Sequence, residues 1–137
     1  ASEPETRALL ALIARYQPRK VISIHQPFRY LDWTGQRGRW LAVAMQRYNR
    51  YRMVDGNKHV LPGCLGGYCG LSLGIAMVTL ELPSGSADAA WWRNRSALLG
   101  AIRYRLPATA ANDAPMPAAQ KDQESRLVLP RDARRPI

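Results

Sequence analysis

Residues 75–82 read Ile-Ala-Met-Val-Thr-Leu-Glu-Leu, an apolar run that is interrupted by one carboxylate near its end. A run of this length, closed by Pro83-Ser84-Gly85, predicts a buried strand. A second run, Lys20-Val21-Ile22-Ser23-Ile24-His25, has the same character and stops at Gln26-Pro27. The sequence therefore predicts two buried strands, with Glu81 and His25 near their carboxyl ends.

Helical patterns surround the two strands. Ser2 and Glu5 form a capping box that predicts a helix up to Pro18, residues 38–51 suit an amphipathic helix, and Ser86 can cap a last helix that runs to Arg105. The predicted inward residues of these three helices are Leu9, Leu12, Ile13 and Tyr16, then Leu41, Ala44, Met45 and Tyr48, then Trp91, Leu98 and Ile102. Alternating helices and strands predict an α/β fold in which helices cover a mainly parallel or mixed sheet.

The 137 residues suffice for one domain, and most of the apolar side chains lie within residues 1–106. Residues 107–137 are rich in proline and predict a mobile tail. Two strands make a thin sheet, and the chain begins at Ala1 without a methionine, so we expect that the amino-terminal half of the domain is missing here. No apolar run reaches the roughly 20 residues of a membrane span, and the compartment, bacterial cytoplasm or periplasm, stays open.

The net charge of +10 indicates either solvated arginine faces or an anionic partner. The excess lies in two groups: Arg29, Arg37, Arg39, Arg47, Arg50, Arg52 and Lys58 in one, and Arg93, Arg95, Arg103 and Arg105 in the other. No helix-turn-helix, RNP-like or zinc-finger pattern accompanies them, so specific nucleic-acid binding is not expected. Cys64 and Cys69 are too few for a disulfide framework and are interpreted as free thiols, with a local disulfide as the alternative.

Two residues could carry chemistry. Glu81 gives up hydration in an apolar strand, so it is either half of a buried ion pair with an arginine or a general base tuned by burial and a nearby cation. His25 is either an ordinary polar residue at a strand end or a metal ligand, with Asp32 as one candidate to hold its second nitrogen. The glycine-rich loop at 63–70 lacks a phosphate-binding motif, and His59 is placed at the surface or the rim of a site.

Four segments in this order resemble the M14 family of zinc carboxypeptidases. They are Ser2-Glu3-Pro4-Glu5-Thr6, Val21-Ile22-Ser23-Ile24-His25, Pro62-Gly63-Cys64-Leu65-Gly66-Gly67-Tyr68-Cys69 and Val78-Thr79-Leu80-Glu81-Leu82-Pro83. The resemblance implies part of a zinc carboxypeptidase-like three-layer sandwich over residues 1–106. It also implies that His25 is the third zinc ligand, that Glu81 is the general base, and that Gly63, Cys64 and Gly66 line the substrate cleft.

The resemblance further implies a Zn²⁺-dependent hydrolysis of a terminal amide bond of a peptide. Within the family, the members that cut murein peptides at the γ-D-glutamyl–diaminopimelate bond match best, which makes a murein peptide the expected substrate. In the family, an HxxE motif that holds the first two zinc ligands and an Asn-Arg stretch precede these four segments, and neither is present before them in this sequence. We therefore expect the isolated chain to be inactive until another segment completes the site. The alternatives are a non-catalytic basic binding module and a degenerate domain that keeps the fold without the chemistry.

Overall fold

A computed structural model of the chain describes residues 3–108. The predicted cap at Ser2 and the predicted tail from residue 109 onward lie outside this range. The described residues belong to two compact units, residues 3–18 and residues 19–108.

The first unit is a single helix, α1 (Pro4–Tyr16). Proline in the first turn suits its start because it has no N–H to leave unpaired, and Gln17 closes the helix in a left-handed conformation (φ 44°) before Pro18. Of the predicted inward stripe, Ile13 is buried, whereas Leu9, Leu12 and Tyr16 are exposed. The prediction is wrong for these three, because helical spacing shows which residues share a face but not whether another element covers them.

The second unit is built on a four-stranded mixed sheet. Its strands are β1 (Lys20–His25), β2 (Phe28–Thr34), β3 (Arg52–Asp55) and β4 (Ala76–Pro83), in the order β1-β4-β2-β3. Strand β4 pairs in parallel with β1 and antiparallel with β2, and β2 pairs in parallel with β3. The two predicted strands are confirmed, and the structure shows that they are neighbours. Strands β2 and β3 were not predicted.

Helices α2 (Gly35–Asn49) and α3 (Ala87–Arg103) cover one face of this sheet. In α2, Leu41, Ala44 and Met45 are buried as predicted, but Tyr48 is exposed. In α3, Ser86 caps the helix through the N–H of Ala89, as predicted.

The predicted inward face of α3 is largely wrong. Trp91 and Ile102 are exposed, and Leu98 is only half-buried against the core. The buried residues of α3 are instead Ala90, Asn94, Ala97 and Ala101. The two helices approach closely, since a side chain on Gly100 would collide with the Tyr48 ring, and such an approach favours small residues over large apolar ones.

Alternation along the strands separates two sets of side chains. In β4, Ala76, Val78 and Leu80 face the helices and belong to the core. Thr79 and Glu81 alternate with them and face the other side of the sheet. Two short segments follow β3, a 3-10 turn at Gly56–His59 and a π-helical segment at Gly67–Ser72. No helix within residues 3–108 has the length and apolar character to cross a membrane.

Candidate active site

The carboxyl-terminal parts of two parallel strands bring His25 and Glu81 together. His25 on β1 is the register partner of Glu81 on β4, and register partners on neighbouring strands point to the same face of a sheet. The His25 Nδ1 atom lies 4.0 Å from Glu81 Oε1. The two residues singled out in the sequence thus lie side by side on the face that α2 and α3 leave free.

Glu81 is buried, with 7% of its surface exposed, although it carries a carboxylate. Its Oε2 atom has no hydrogen-bond partner among the described residues. None of the arginines in residues 3–108 forms an ion pair with it, and among these residues His25 is the one basic side chain within 4.0 Å. An unpaired buried carboxylate oxygen is costly, so this position favours a bound cation or a donor from a ligand.

His25 is held by a residue that the sequence did not single out. The Ser23 Oγ atom lies 2.9 Å from His25 Nε2, and residues two apart on a strand share a face. Ser23 contacts the Nε2 atom, so the other ring nitrogen, Nδ1, is the one that faces Glu81. Ser23, rather than Asp32, therefore fills the place of the group that orients the histidine.

The row of side chains that contains His25 and Glu81 continues across the sheet. Tyr30 on β2 is the register partner of Glu81, and Arg52 on β3 is the partner of Tyr30. The Arg52 guanidinium lies over the Tyr30 ring, 5.7 Å from its centroid. Burial raises the pKa of the Tyr30 phenol, the carboxylates of Glu81 and Asp32 raise it further, and Arg52 lowers it. Tyr30 and Arg52 were missed because the strands that carry them were not predicted.

Asp32 lies in the next row of the same face, opposite Thr79 on β4. The sequence made Asp32 either a candidate partner of His25 or an ordinary loop residue, and the structure places it within β2. Its Oδ1 atom is buried without a hydrogen-bond partner among residues 3–108. Burial is the main cause that raises the pKa of Asp32. The charge of His59 acts in the opposite direction.

The glycine-rich loop reaches this face at one of the three positions predicted to line a substrate cleft. Gly66 lies against Thr34, the last residue of β2. Gly63 has a left-handed conformation (φ 79°) and open space around it, and Cys64 Sγ accepts a hydrogen bond from the N–H of Gly67. The structure brings neither Gly63 nor Cys64 into contact with His25 or Glu81. Cys64 and Cys69 are both free thiols.

The donor atoms of the site suit part of a zinc centre. A catalytic zinc has three protein ligands and one open position. An imidazole whose second nitrogen is held, next to a buried unpaired carboxylate, could provide one such ligand and a base. Across residues 3–108, no group of three or more histidine, cysteine, aspartate or glutamate side chains could hold a metal ion. The described residues therefore supply a fragment of a donor set, and the other ligands would have to come from elsewhere.

Comparison with known proteins relates the chain to one group of enzymes. No family model matches it. It is 33% identical over 105 residues to murein peptide amidase A of Escherichia coli (strain K12), a match that covers 75% of this chain and 41% of that protein. It is 29% identical over 104 residues to murein peptide amidase A of Vibrio campbellii (strain ATCC BAA-1116), covering 74% and 40%.

The fold agrees with this similarity. A crystal structure of the murein-tripeptide amidase from Escherichia coli O157 matches with a TM-score of 0.60 and 30% identity, over 78% of this chain and 44% of that one. The chain spans about two fifths of the length of the curated relatives it matches. The predicted zinc carboxypeptidase-like fold, a mixed sheet covered by helices, is thus confirmed, and the chain is homologous to part of the murein peptide amidases.

Proposed function

We propose that this chain contributes one part of the active site of a zinc-dependent amidase that hydrolyses a terminal amide bond of a peptide. The observation that carries the proposal is the buried carboxylate of Glu81, whose Oε2 atom is unpaired while its Oε1 atom faces His25 Nδ1. The homology to murein peptide amidases supports the same reaction class.

In this proposal His25 binds the metal through Nδ1, and Ser23 fixes the ring through Nε2. When bound, zinc lowers the pKa of a water molecule and polarises the carbonyl group of the substrate. Glu81 acts as the general base: its carboxylate takes a proton from the attacking water and returns it to the nitrogen of the leaving amine. Because Glu81 is buried, bulk water does not compete for its unpaired Oε2 atom, and this oxygen is available for the proton transfer.

The proposed substrate is a murein peptide, cut at the γ-D-glutamyl–diaminopimelate bond. The murein peptide is proposed because the relatives are named for such peptides, and the bond is proposed from the family resemblance of the four sequence segments. Because the chain spans about two fifths of their length, we further propose that the remaining zinc ligands come from a segment outside this chain and that the isolated chain is inactive.

The test compares three variants of the complete gene product. We expect the wild-type protein to bind one zinc ion and to hydrolyse a murein tripeptide, and we expect His25→Ala to lose the metal. Glu81→Gln should keep both zinc and the fold but lose hydrolysis by roughly 100-fold or more. Glu5→Gln, an exposed carboxylate on α1, serves as the matched control. A wild-type protein that folds but neither binds zinc nor hydrolyses the peptide would refute the proposal and favour a degenerate domain.

A second candidate function is a basic binding module. Between α2 and α3 lies a groove of about 390 Å³ whose wall includes Arg47, Tyr48, Arg103 and Tyr104. Within residues 3–108, neither of its arginines forms an ion pair with an acidic side chain. An unneutralised pair of arginines favours an anionic partner, and retention by a polyanion at rising salt concentration tests for one.

A further inference from the structure

Asp32 shares the face of the sheet with Glu81 but has no part in the reaction proposed above. Tyr30 is paired with Glu81 and Asp32 with Thr79 across the antiparallel β2–β4 ladder. Asp32 and Glu81 are therefore diagonal neighbours, and the Cα atoms of such a pair lie about 7–8 Å apart. The two carboxylates can reach different groups of one small ligand.

The charge of Asp32 is not compensated by the described residues. Within residues 3–108 its carboxylate forms no ion pair, and its buried Oδ1 atom accepts no hydrogen bond. Glu81 and Asp55 add further negative charge nearby, while His59, the one group that opposes them, is exposed and carries charge only when protonated. The Asp32 carboxylate is therefore held in position without a cationic partner among residues 3–108.

The two oxygens of the Asp32 carboxylate have different surroundings. Gly56 packs directly against Oδ1, and a side chain at that position would collide with it. Oδ2 accepts no hydrogen bond from residues 3–108 and is not among the buried unpaired atoms, so this oxygen keeps some exposure to solvent. The more than nine-tenths buried Glu81, with its own unpaired Oε2, lies on the same face. Two unpaired carboxylates on one face favour a ligand that brings positive charge.

We propose that Asp32 determines specificity by binding the ammonium group on the side chain of the residue that follows the scissile amide. This inference rests on the proposed function. Diaminopimelate carries its second amine at the length of a lysine stem, a reach that fits the separation of diagonal neighbours on a sheet. A partly buried carboxylate gains more from pairing with an ammonium group than an exposed one does, because solvent screens the pair less.

The test uses two peptides that differ only in this ammonium group: the murein tripeptide and its analogue with 2-aminopimelate in place of diaminopimelate. In the complete gene product we expect Asp32→Asn to lower kcat/KM for the first peptide by roughly 10- to 100-fold and to change the second by less than about threefold. Asp88→Asn, an exposed carboxylate on α3, should leave both values unchanged. Equal losses on the two peptides, or none, would overturn the inference while leaving the amidase proposal intact.

If the wild-type protein hydrolyses neither peptide, the amidase proposal fails and the same two peptides are titrated by calorimetry. A preference of the wild-type protein for the diaminopimelate peptide that disappears in Asp32→Asn would still support an ammonium site. Equal affinity for the two peptides, or no binding, would overturn it.

Discussion

The residues of the candidate site differ in how well their role could be predicted from the sequence. Glu81 could be predicted, because a carboxylate that interrupts an apolar run signals a costly burial. For Asp32 the sequence offered only a candidate contact with His25, since aromatic and charged side chains surround it and the strand that carries it was not predicted. Ser23 could have been predicted, because it lies two residues from His25 on the same strand. Only the 2.9 Å distance between Ser23 Oγ and His25 Nε2 shows that the two side chains meet.

Asp32 should destabilise the fold at neutral pH in the absence of a ligand. Burial raises its pKa above the usual value of 3.8. Between 3.8 and the higher folded-state value, the folded protein binds more protons than the unfolded one, so stability falls as pH rises through that window. We expect Asp32→Asn to raise the thermal midpoint at pH 7 and to have little effect at pH 3. A difference between variant and wild type that is the same at both pH values would contradict this, and Asp88→Asn is the control.

In the proposed zinc site, Ser23 should act on the metal through His25. We expect Ser23→Ala to weaken zinc binding by roughly 10-fold, because the imidazole loses the contact that orients its ring. Ser23→Thr keeps the hydroxyl group and should retain most of the affinity. Competition with a chromogenic chelator measures both variants of the complete gene product. Equal affinity of the alanine variant and the wild type would show that Ser23 does not position His25.

At the level of elements, periodicity predicted the long, strongly patterned segments and missed the short ones. Strands β1 and β4 and helices α2 and α3 were found because their apolar side chains recur over many residues. Strand β3 has four residues, too few for a period to appear, and its pairing with β2 is a long-range contact that no local pattern records. The predicted inward face of α3 was wrong, because the helices pack closely and the residues buried there are alanines and Asn94 rather than large apolar side chains.

Asn94 is a polar residue that joins the two helices through the core. It is 1% exposed and donates hydrogen bonds to Tyr51 Oη (3.1 Å) and to the carbonyl of Ala90 (2.9 Å), while its Oδ1 accepts one from Asn49 (3.1 Å). We expect Asn94→Ala to lower the free energy of unfolding by about 2–3 kcal/mol, because Asn49 and Tyr51 lose partners in a buried position. Urea denaturation measures the loss. The neighbouring exposed Arg93→Ala should change stability by less than about 0.5 kcal/mol.

Over residues 19–108 as a whole, the two candidate functions lie on opposite faces of the sheet. Helices α2 and α3, with the arginine-lined groove, cover one face, and His25, Glu81 and Asp32 lie on the other. The net charge of +10 attracts anions to the protein in general, so it cannot by itself identify a binding surface. Changing the charge of the groove alone can therefore distinguish specific binding of an anion in the groove from general attraction by the net charge.

The double variant Arg47→Glu/Arg103→Glu tests the groove in this way. If the groove binds a polyanion, the variant should elute from heparin at a clearly lower salt concentration than the matched variant Arg39→Glu/Arg93→Glu, which changes the net charge equally at exposed positions on the same helices. Because the groove faces away from Glu81, hydrolysis of a murein tripeptide should be unchanged in both. Equal elution of the two variants would reduce the binding-module hypothesis to a general charge effect. A parallel loss of hydrolysis in the groove variant alone would instead show that the helical face takes part in the amidase reaction.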